Sequence, residues 1–139
     1  MLVLLPWFSL FNLLATYCSE MQKLAHPAAF YALYLMYTAG MMGILVTADL
    51  FNLYVLLEIA SLTVYTMIAS GREHRATFAC LNYLFIGSIG ASLYLLGVGY
   101  IYLITGSLNM FDVLTKISNI HNSQTIYLAF AICMLGLFV

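Results

Sequence analysis

Long apolar runs separated by short polar stretches make up most of this chain. A run of about 17–25 apolar residues is long enough to cross a bilayer as an α-helix. The pattern therefore predicts an all-α integral membrane protein with four full transmembrane helices and a truncated fifth, within one partial membrane domain over residues 1–139. The predicted helices cover residues 1–17, 28–46, 49–69, 78–104 and 125–139.

The third predicted helix, residues 49–69, carries one carboxylate near its middle, Glu58. An acidic side chain is costly at membrane depth, so a residue of this kind marks an ion or proton pathway by default. Asp49, at the head of the same helix, has a local role, because an N-cap carboxylate accepts hydrogen bonds from the first free backbone N–H groups and complements the helix dipole. The sequence thus predicts a functional acid at Glu58 and a helix cap at Asp49.

Hydroxyl-bearing side chains share the helix face of Glu58. Residues three, four or seven positions apart lie on one side of an α-helix. The side chains placed there by this spacing are Phe51, Tyr54, Ser61 and Tyr65. Glu58 is either a hydrated or charge-paired acid, or a protonated acid hydrogen-bonded to Tyr54 or Ser61 that only fixes helix packing. The sequence favours the first interpretation.

The fourth predicted helix, residues 78–104, is longer than a bilayer requires and must tilt, bend or break. Gly87 with Ala91, and Ser88 with Ser92, have the spacing of small residues that lets a neighbouring helix approach closely. We expect a packing seam there. A polar loop follows at residues 105–124, with a short amphipathic piece around residues 111–117.

Composition excludes several classes of function. The chain is 65% hydrophobic and only 6% charged, which a soluble domain of 139 residues does not tolerate. Four Lys and Arg residues leave no basic surface for nucleic acid. The scattered Cys and His residues, and the absence of a glycine-rich dinucleotide loop or a pair of haem ligands, predict no metal and no cofactor.

The few basic residues indicate the orientation in the membrane. Lys23, Arg72 and Arg75 fall in loops on one side of the predicted bundle, and Lys116 falls on the other. Cytoplasmic loops carry the excess of Lys and Arg, so the sequence predicts an N-terminus outside the cell.

Two stretches carry a resemblance to a known family. DLFNLYVLLEIASLTVY, from Asp49, and LNYLFIGSIGASLYLLGVGYIYLITGSLNM, from Leu81, resemble the D subunit of Mrp-type monovalent cation/proton antiporters, a relative of the antiporter-like membrane subunits of respiratory complex I. The resemblance implies a fold of about fourteen helices built from two inverted five-helix repeats, each with a broken helix at the membrane midplane. This chain would supply roughly the third helix through the first half of the seventh.

The resemblance also implies roles for individual residues. Glu58 matches the key glutamate of the family, whose partner is a lysine at the break of the seventh helix; that lysine is expected at or just after the position following Val139. A nearby lysine stabilises the ionised glutamate, and its withdrawal favours the protonated form. Asn82 stands where many relatives carry lysine, which makes it a candidate relay position where an amide can hold water.

Three functions remain open from the sequence. The resemblance favours a membrane subunit fragment of a monovalent cation (Na⁺)/proton antiporter in a bacterial-type inner membrane. Its partners would be other membrane subunits, the lipid bilayer, protons and the cation. The first alternative is a non-functional truncated or split-gene remnant. The second is a fragment of a proton-pumping NADH:quinone oxidoreductase membrane subunit, in which any enzymatic activity would belong to the whole complex. The motif DLFNLY favours the antiporter branch.

Overall fold

A computed structural model describes residues 6–7, 9–14, 27–70, 74–118 and 124–139. Residues 6–7 and 9–14 are helical, but most of the helix predicted over residues 1–17 lies outside the described residues. The described part of the chain contains these further helices: α1 (Pro27–Val46), α2 (Leu50–Ala69), α3 (His74–Thr105), α4 (Met110–Ser118) and α5 (Gln124–Phe138).

The bounds of α1, α2 and α5 agree with the predicted helices to within one residue. The prediction of 78–104 for α3 starts too late, because the helix begins at His74 and continues without a break for 32 residues. His74 and Arg75 are polar and yet helical, so polarity there did not mark the helix boundary. At 1.5 Å per residue, α3 is about 48 Å long and exceeds a bilayer core of about 30 Å.

Three of the described helices, α1, α2 and α3, are long and apolar enough to cross a membrane, and α5 is a shorter apolar helix. Large apolar side chains cover much of the outer surface; Phe85, Ile89 and Leu103 on α3 are 62%, 58% and 78% exposed. Apolar exposure on this scale is the surface of a protein solvated by lipid or covered by other membrane helices.

Helices α1 and α2 form an antiparallel pair, as their three-residue connection requires. Gly40 is the buried residue of α1. A Cβ built on it would lie 3.4 Å from the Ala60 Cβ, which is ordinary packing distance. The pair therefore meets along small side chains, and the backbones approach closely.

Backbone hydrogen bonds join the connection between α1 and α2 to the connection between α3 and α4. Leu50 N–H donates to the Leu108 carbonyl at 2.9 Å, and Met110 N–H donates to the Ala48 carbonyl at 2.8 Å. The link places Asp49 opposite Asn109 in an isolated antiparallel bridge. As a result, the start of α2 and the start of α4 lie at the same end of the bundle.

The turn between α3 and α4 is built from capping interactions. Gly106 has a φ of 65°, the left-handed conformation in which glycine commonly ends a helix. Lys116 Nζ on α4 donates to the Thr105 carbonyl at 2.8 Å, which satisfies a carbonyl in the last turn of α3. The amphipathic helix predicted around residues 111–117 is confirmed as α4.

Helices α3 and α5 pack most closely, through glycines that the predicted seam did not include. A Cβ at Gly97 would lie 2.8 Å from the Cys133 nitrogen and 2.9 Å from the Ala129 carbonyl oxygen. A Cβ at Gly90 would lie 2.9 Å from the Gly136 carbonyl oxygen. Backbone against backbone leaves no room for any side chain at these positions.

Ser88 and Ser92 of the predicted seam are both exposed among the described residues. Their hydroxyls donate within the helix, Ser88 to the Phe85 carbonyl at 3.0 Å and Ser92 to the Ser88 carbonyl at 2.7 Å. Backbone carbonyls of the same helix satisfy both serine hydroxyls, whereas Gly87 of the predicted seam lies against Tyr65 of α2.

The buried core lies between the start of α2, the second half of α3, α4 and α5. Ala129 is completely buried, and Val98 is 2% exposed. The core members are Tyr94, Val98, Ile101, Val113, Ala129 and Cys133. This core fixes α5 against α3 and leaves a cavity beside it.

Candidate functional site

A cavity of about 170 Å³ lies between α2, α3 and the last turn of α5, at the level of Glu58. Glu58 is the ninth of the 20 residues of α2 and is partly buried, so the cavity is far from either end of that helix. Helix α3 contributes backbone and small side chains to the wall. The lining residues outside α2 are Gly87, Gly90, Ala91 and Tyr94 on α3, Gly136 and Leu137 on α5, and Val139 beyond α5.

Four of the five α2 residues that the sequence placed on one face line this cavity: Tyr54, Glu58, Ser61 and Tyr65; Leu57 of α2 lines it too. Phe51 has the right spacing but does not line it; its ring is 47% exposed and lies 6.1 Å from the Tyr54 ring. The helical spacing thus brings three hydroxyls and one carboxylate into a common space.

The carboxylate of Glu58 makes no hydrogen bond or ion pair with any residue of the described segments. The Ser61 hydroxyl donates instead to the main-chain carbonyl of Glu58 at 3.0 Å. Within the described residues, neither the Tyr54 nor the Ser61 hydroxyl is hydrogen-bonded to the Glu58 carboxylate. Each water molecule needs about 10–15 Å³ of such volume, so by size the cavity has room for several beside the carboxylate.

Tyr94 on α3 is part of the site, and the sequence analysis missed it. Its side chain is only 4% exposed, and its ring stacks on Tyr54 at a centroid distance of 6.4 Å and an interplanar angle of 8°. The Tyr94 hydroxyl donates to the Leu50 carbonyl at 3.3 Å. Tyr94 therefore fixes the orientation of Tyr54 at one end of the cavity. Nothing in the local sequence separates it from the other tyrosines of α3.

Asn82 does not line the cavity at Glu58. It is exposed and lines a second cavity of about 500 Å³ with Tyr83 and Ile86. The two cavities share Tyr65, Gly87 and Val139 as walls. Of these three shared residues, Tyr65 carries a polar side chain.

Asp49 has the capping geometry that the sequence predicts. One oxygen, Oδ1, accepts from the backbone N–H groups of Phe51 and Asn52, each at 2.9 Å. The residue lies in a separate groove with Thr47, Asn52 and Asn109, away from the cavity of Glu58. Its position is that of a structural residue at the end of the bundle.

The long apolar helices and the apolar outer surface define an integral membrane protein, here with an acid in a cavity among its helices. Residues 47–139 match the sequence model of the family described as NADH:quinone oxidoreductase/Mrp antiporter, transmembrane. The chain belongs to this family.

Relatives from both branches of the family are similar to this chain. The NADH-quinone oxidoreductase subunit N of Desulforudis audaxviator is 49% identical over 109 residues, 78% of this chain and 22% of that protein. The D subunit of the Na⁺/H⁺ antiporter of Alkalihalophilus pseudofirmus is 35% identical over 114 residues, 82% of this chain and 22% of that protein. The chain therefore spans about a fifth of the length of these relatives.

A solved structure has the same arrangement of helices. The membrane-bound sulfane sulfur reductase, an archaeal respiratory membrane complex, contains a chain that is 34% identical, with a TM-score of 0.72. The match covers 76% of this chain and 21% of that one. The family and the all-helical membrane fold are thus shown, and the identity is higher with the oxidoreductase subunit than with the antiporter subunit.

Proposed function

We propose that this chain is part of a proton-translocating membrane subunit in which Glu58 is the proton-carrying acid. The observation that carries the proposal is the cavity at mid-helix, where the carboxylate and the three hydroxyls of Tyr54, Ser61 and Tyr65 face the same space. A carboxylate at this depth that no side chain of the described segments binds is suited to exchange a proton with water.

The chemistry of the cavity permits both protonation states. Water and the neighbouring hydroxyls stabilise the ionised carboxylate by hydrogen bonding, whereas loss of water favours the neutral acid. A cationic group brought near Glu58 from elsewhere in the protein would favour ionisation, and its withdrawal would favour proton uptake. Alternation between the two conditions moves protons in steps, and this is the cycle we assign to Glu58.

Exchange of a monovalent cation such as Na⁺ for protons is the process we propose for the complete protein. It is supported by the relative named as a Na⁺/H⁺ antiporter subunit. The working unit would include further membrane subunits, because the similar chain of known structure belongs to a respiratory membrane complex. We place the protein in the inner membrane, and the distribution of Lys and Arg supports an N-terminus outside.

A second candidate is proton pumping driven by quinone reduction. The 49% identity with an NADH-quinone oxidoreductase subunit favours it. Glu58 would carry the proton in this case also, but movement would depend on electron transfer by other subunits. Vesicles with the assembled complex distinguish the two: proton movement that follows an imposed Na⁺ gradient indicates antiport, and movement that requires NADH and a quinone indicates redox pumping.

The test of the shared claim is replacement of Glu58 in the full-length protein within its complex. Glu58→Gln keeps the size and hydrogen-bonding capacity of the side chain but cannot carry the proton. Asp112→Asn is the matched control: Asp112 is exposed on α4, outside the cavity, and accepts from the Ser107 hydroxyl at 3.3 Å. We expect proton movement in vesicles to be abolished by Glu58→Gln and retained with Asp112→Asn. Normal proton movement in the assembled Glu58→Gln complex would overturn the proposal.

A further inference from the structure

We propose that the Tyr65 hydroxyl relays protons between the cavity at Glu58 and the cavity at Asn82, and that Gly87 positions it. The inference rests on the proposed role of Glu58 and adds the route by which protons reach it. It follows from the packing of one tyrosine against one glycine between two cavities.

Tyr65 occupies a notch that only glycine can provide. The Tyr65 hydroxyl lies where a Cβ at position 87 would be, and the Cζ atom of the ring is 3.1 Å from that point. The phenol therefore reaches directly onto the backbone of α3. Any larger residue at position 87 would force the hydroxyl out of this place.

The main chain at Tyr65 is also fixed to α3. The Cys80 thiol donates to the Tyr65 carbonyl at 3.2 Å, about two helical turns along α3 from the notch at Gly87. With the backbone held on one side and the hydroxyl seated on the other, the phenol has a defined orientation. The Tyr65 side chain forms part of the wall between the two cavities.

The hydroxyl of Tyr65 has no hydrogen-bond partner among the described residues, which leaves it able to bind water on either side. A phenol is both donor and acceptor, so it can receive one proton while it gives up another. The cavity at Glu58 measures about 170 Å³ and that at Asn82 about 500 Å³. Each has room for water next to the shared wall.

The transfer conserves protons and needs no electrons. A protonated water in the Asn82 cavity donates to the phenol oxygen while the original O–H proton passes to a water in the other cavity. That water protonates Glu58. Tyr65 returns to the neutral phenol with its hydroxyl turned, and rotation about the C–O bond resets it. The reverse sequence releases a proton from Glu58.

The first test is Tyr65→Phe in the full-length protein within its complex, measured as proton movement in vesicles. The ring is kept and only the relay atom is lost. We expect the maximal rate to fall at least about ten-fold, with the cation or quinone concentration for half-maximal rate unchanged. A purely structural role for the ring would leave the rate with phenylalanine at the wild-type level.

Gly87→Ala tests the positioning residue, and Gly99→Ala is its control. A Cβ at Gly99, on the same helix, meets nothing within 4 Å. We expect Gly87→Ala to lower the rate about as much as Tyr65→Phe, and Gly99→Ala to leave it unchanged. Adding Gly87→Ala to a protein that already carries Tyr65→Phe should lower the rate further by a factor of less than about two. Both changes take the same hydroxyl out of its place, so their effects should not add.

The outcomes separate this inference from the function on which it rests. Loss of activity in Glu58→Gln with full activity in both Tyr65→Phe and Gly87→Ala would overturn the relay and leave the role of Glu58 intact. Full activity in Glu58→Gln would overturn the role of Glu58 itself. Fully additive losses from Tyr65→Phe and Gly87→Ala would show that Gly87 does not act through the Tyr65 hydroxyl.

Discussion

Asp49 and Asn109 lie opposite each other in an antiparallel bridge, and each also caps a helix of its own. Asp49 Oδ1 accepts from the first turn of α2, and Asn109 Oδ1 accepts from Phe111 N–H in the first turn of α4 at 3.0 Å. Two helix starts are thereby joined through backbone and side chain at once. The link also sets the position of Leu50, whose carbonyl accepts from Tyr94.

Loss of the Asp49 cap should destabilise the bundle. Asp49→Ala removes the acceptor for two backbone N–H groups, and a lost cap of this type costs about 0.5–2 kcal/mol. Asp49→Asn retains a capping oxygen and should stay close to wild type. Thermal unfolding of the purified full-length protein in detergent measures the difference. Equal unfolding midpoints for Asp49→Ala and Asp49→Asn would show that the backbone bridge to Asn109 alone stabilises the end of the bundle where α2 and α4 begin.

The close contact of α3 with α5 should not tolerate a methyl group. At Gly97, a Cβ would meet the Cys133 nitrogen and the Ala129 carbonyl oxygen, both backbone atoms that cannot move aside. Gly97→Ala is therefore expected to cost about 1–3 kcal/mol through overpacking.

Gly99→Ala is the matched control, since its Cβ meets no atom within 4 Å. Alanine also has the higher helix propensity, so this control should be neutral or slightly stabilising. Comparison of the two unfolding midpoints tests the observed spacing of α3 and α5. Similar midpoints would contradict it.

Tyr94→Phe should lower the stability of the fold while the aromatic ring stays in place beside the cavity. The ring can still stack on Tyr54, but the hydrogen bond to the Leu50 carbonyl is lost, which costs about 1 kcal/mol. Tyr102→Phe, at an exposed position of the same helix, should change stability little. Thermal unfolding again gives the measurement. A loss of stability in Tyr102→Phe as large as in Tyr94→Phe would mean that the Leu50 contact contributes nothing.

Several features of the fold followed directly from local sequence. The acid before the apolar run of α2 identified the helix cap. The spacing of Tyr54, Glu58, Ser61 and Tyr65 placed them on one helix face before any partner helix was known. Periodicity within a single helix is sufficient for such predictions.

The partners across the cavity could not be predicted in the same way. Tyr94 is one of several tyrosines in α3, and only its contact with Leu50, 44 positions away, distinguishes it. Gly90 and Gly97 pack on α5 and Gly87 holds Tyr65, yet all three are glycines in one apolar helix. Which glycine meets which neighbour depends on the rotation and tilt of α3, which sequence spacing does not determine.

Labelling of single cysteines measures the orientation of the bundle in the membrane. Ser70 and Ser118 are both exposed and lie at opposite ends of the bundle. In a variant without native cysteines, Ser70→Cys should be protected from a membrane-impermeant maleimide in intact cells, and Ser118→Cys should react, because Arg72 and Arg75 favour the cytoplasmic side. The reverse labelling pattern would contradict the proposed orientation.

Protonation of Glu58 during turnover is the central claim, and infrared difference spectroscopy observes it directly. In the assembled complex, the carboxylic C=O band should rise and fall as proton movement is started and stopped, and should shift in D₂O. The account predicts that this band disappears in Glu58→Gln and persists in Asp112→Asn. A band that persists unchanged in an active Glu58→Gln complex would show that another group carries the proton.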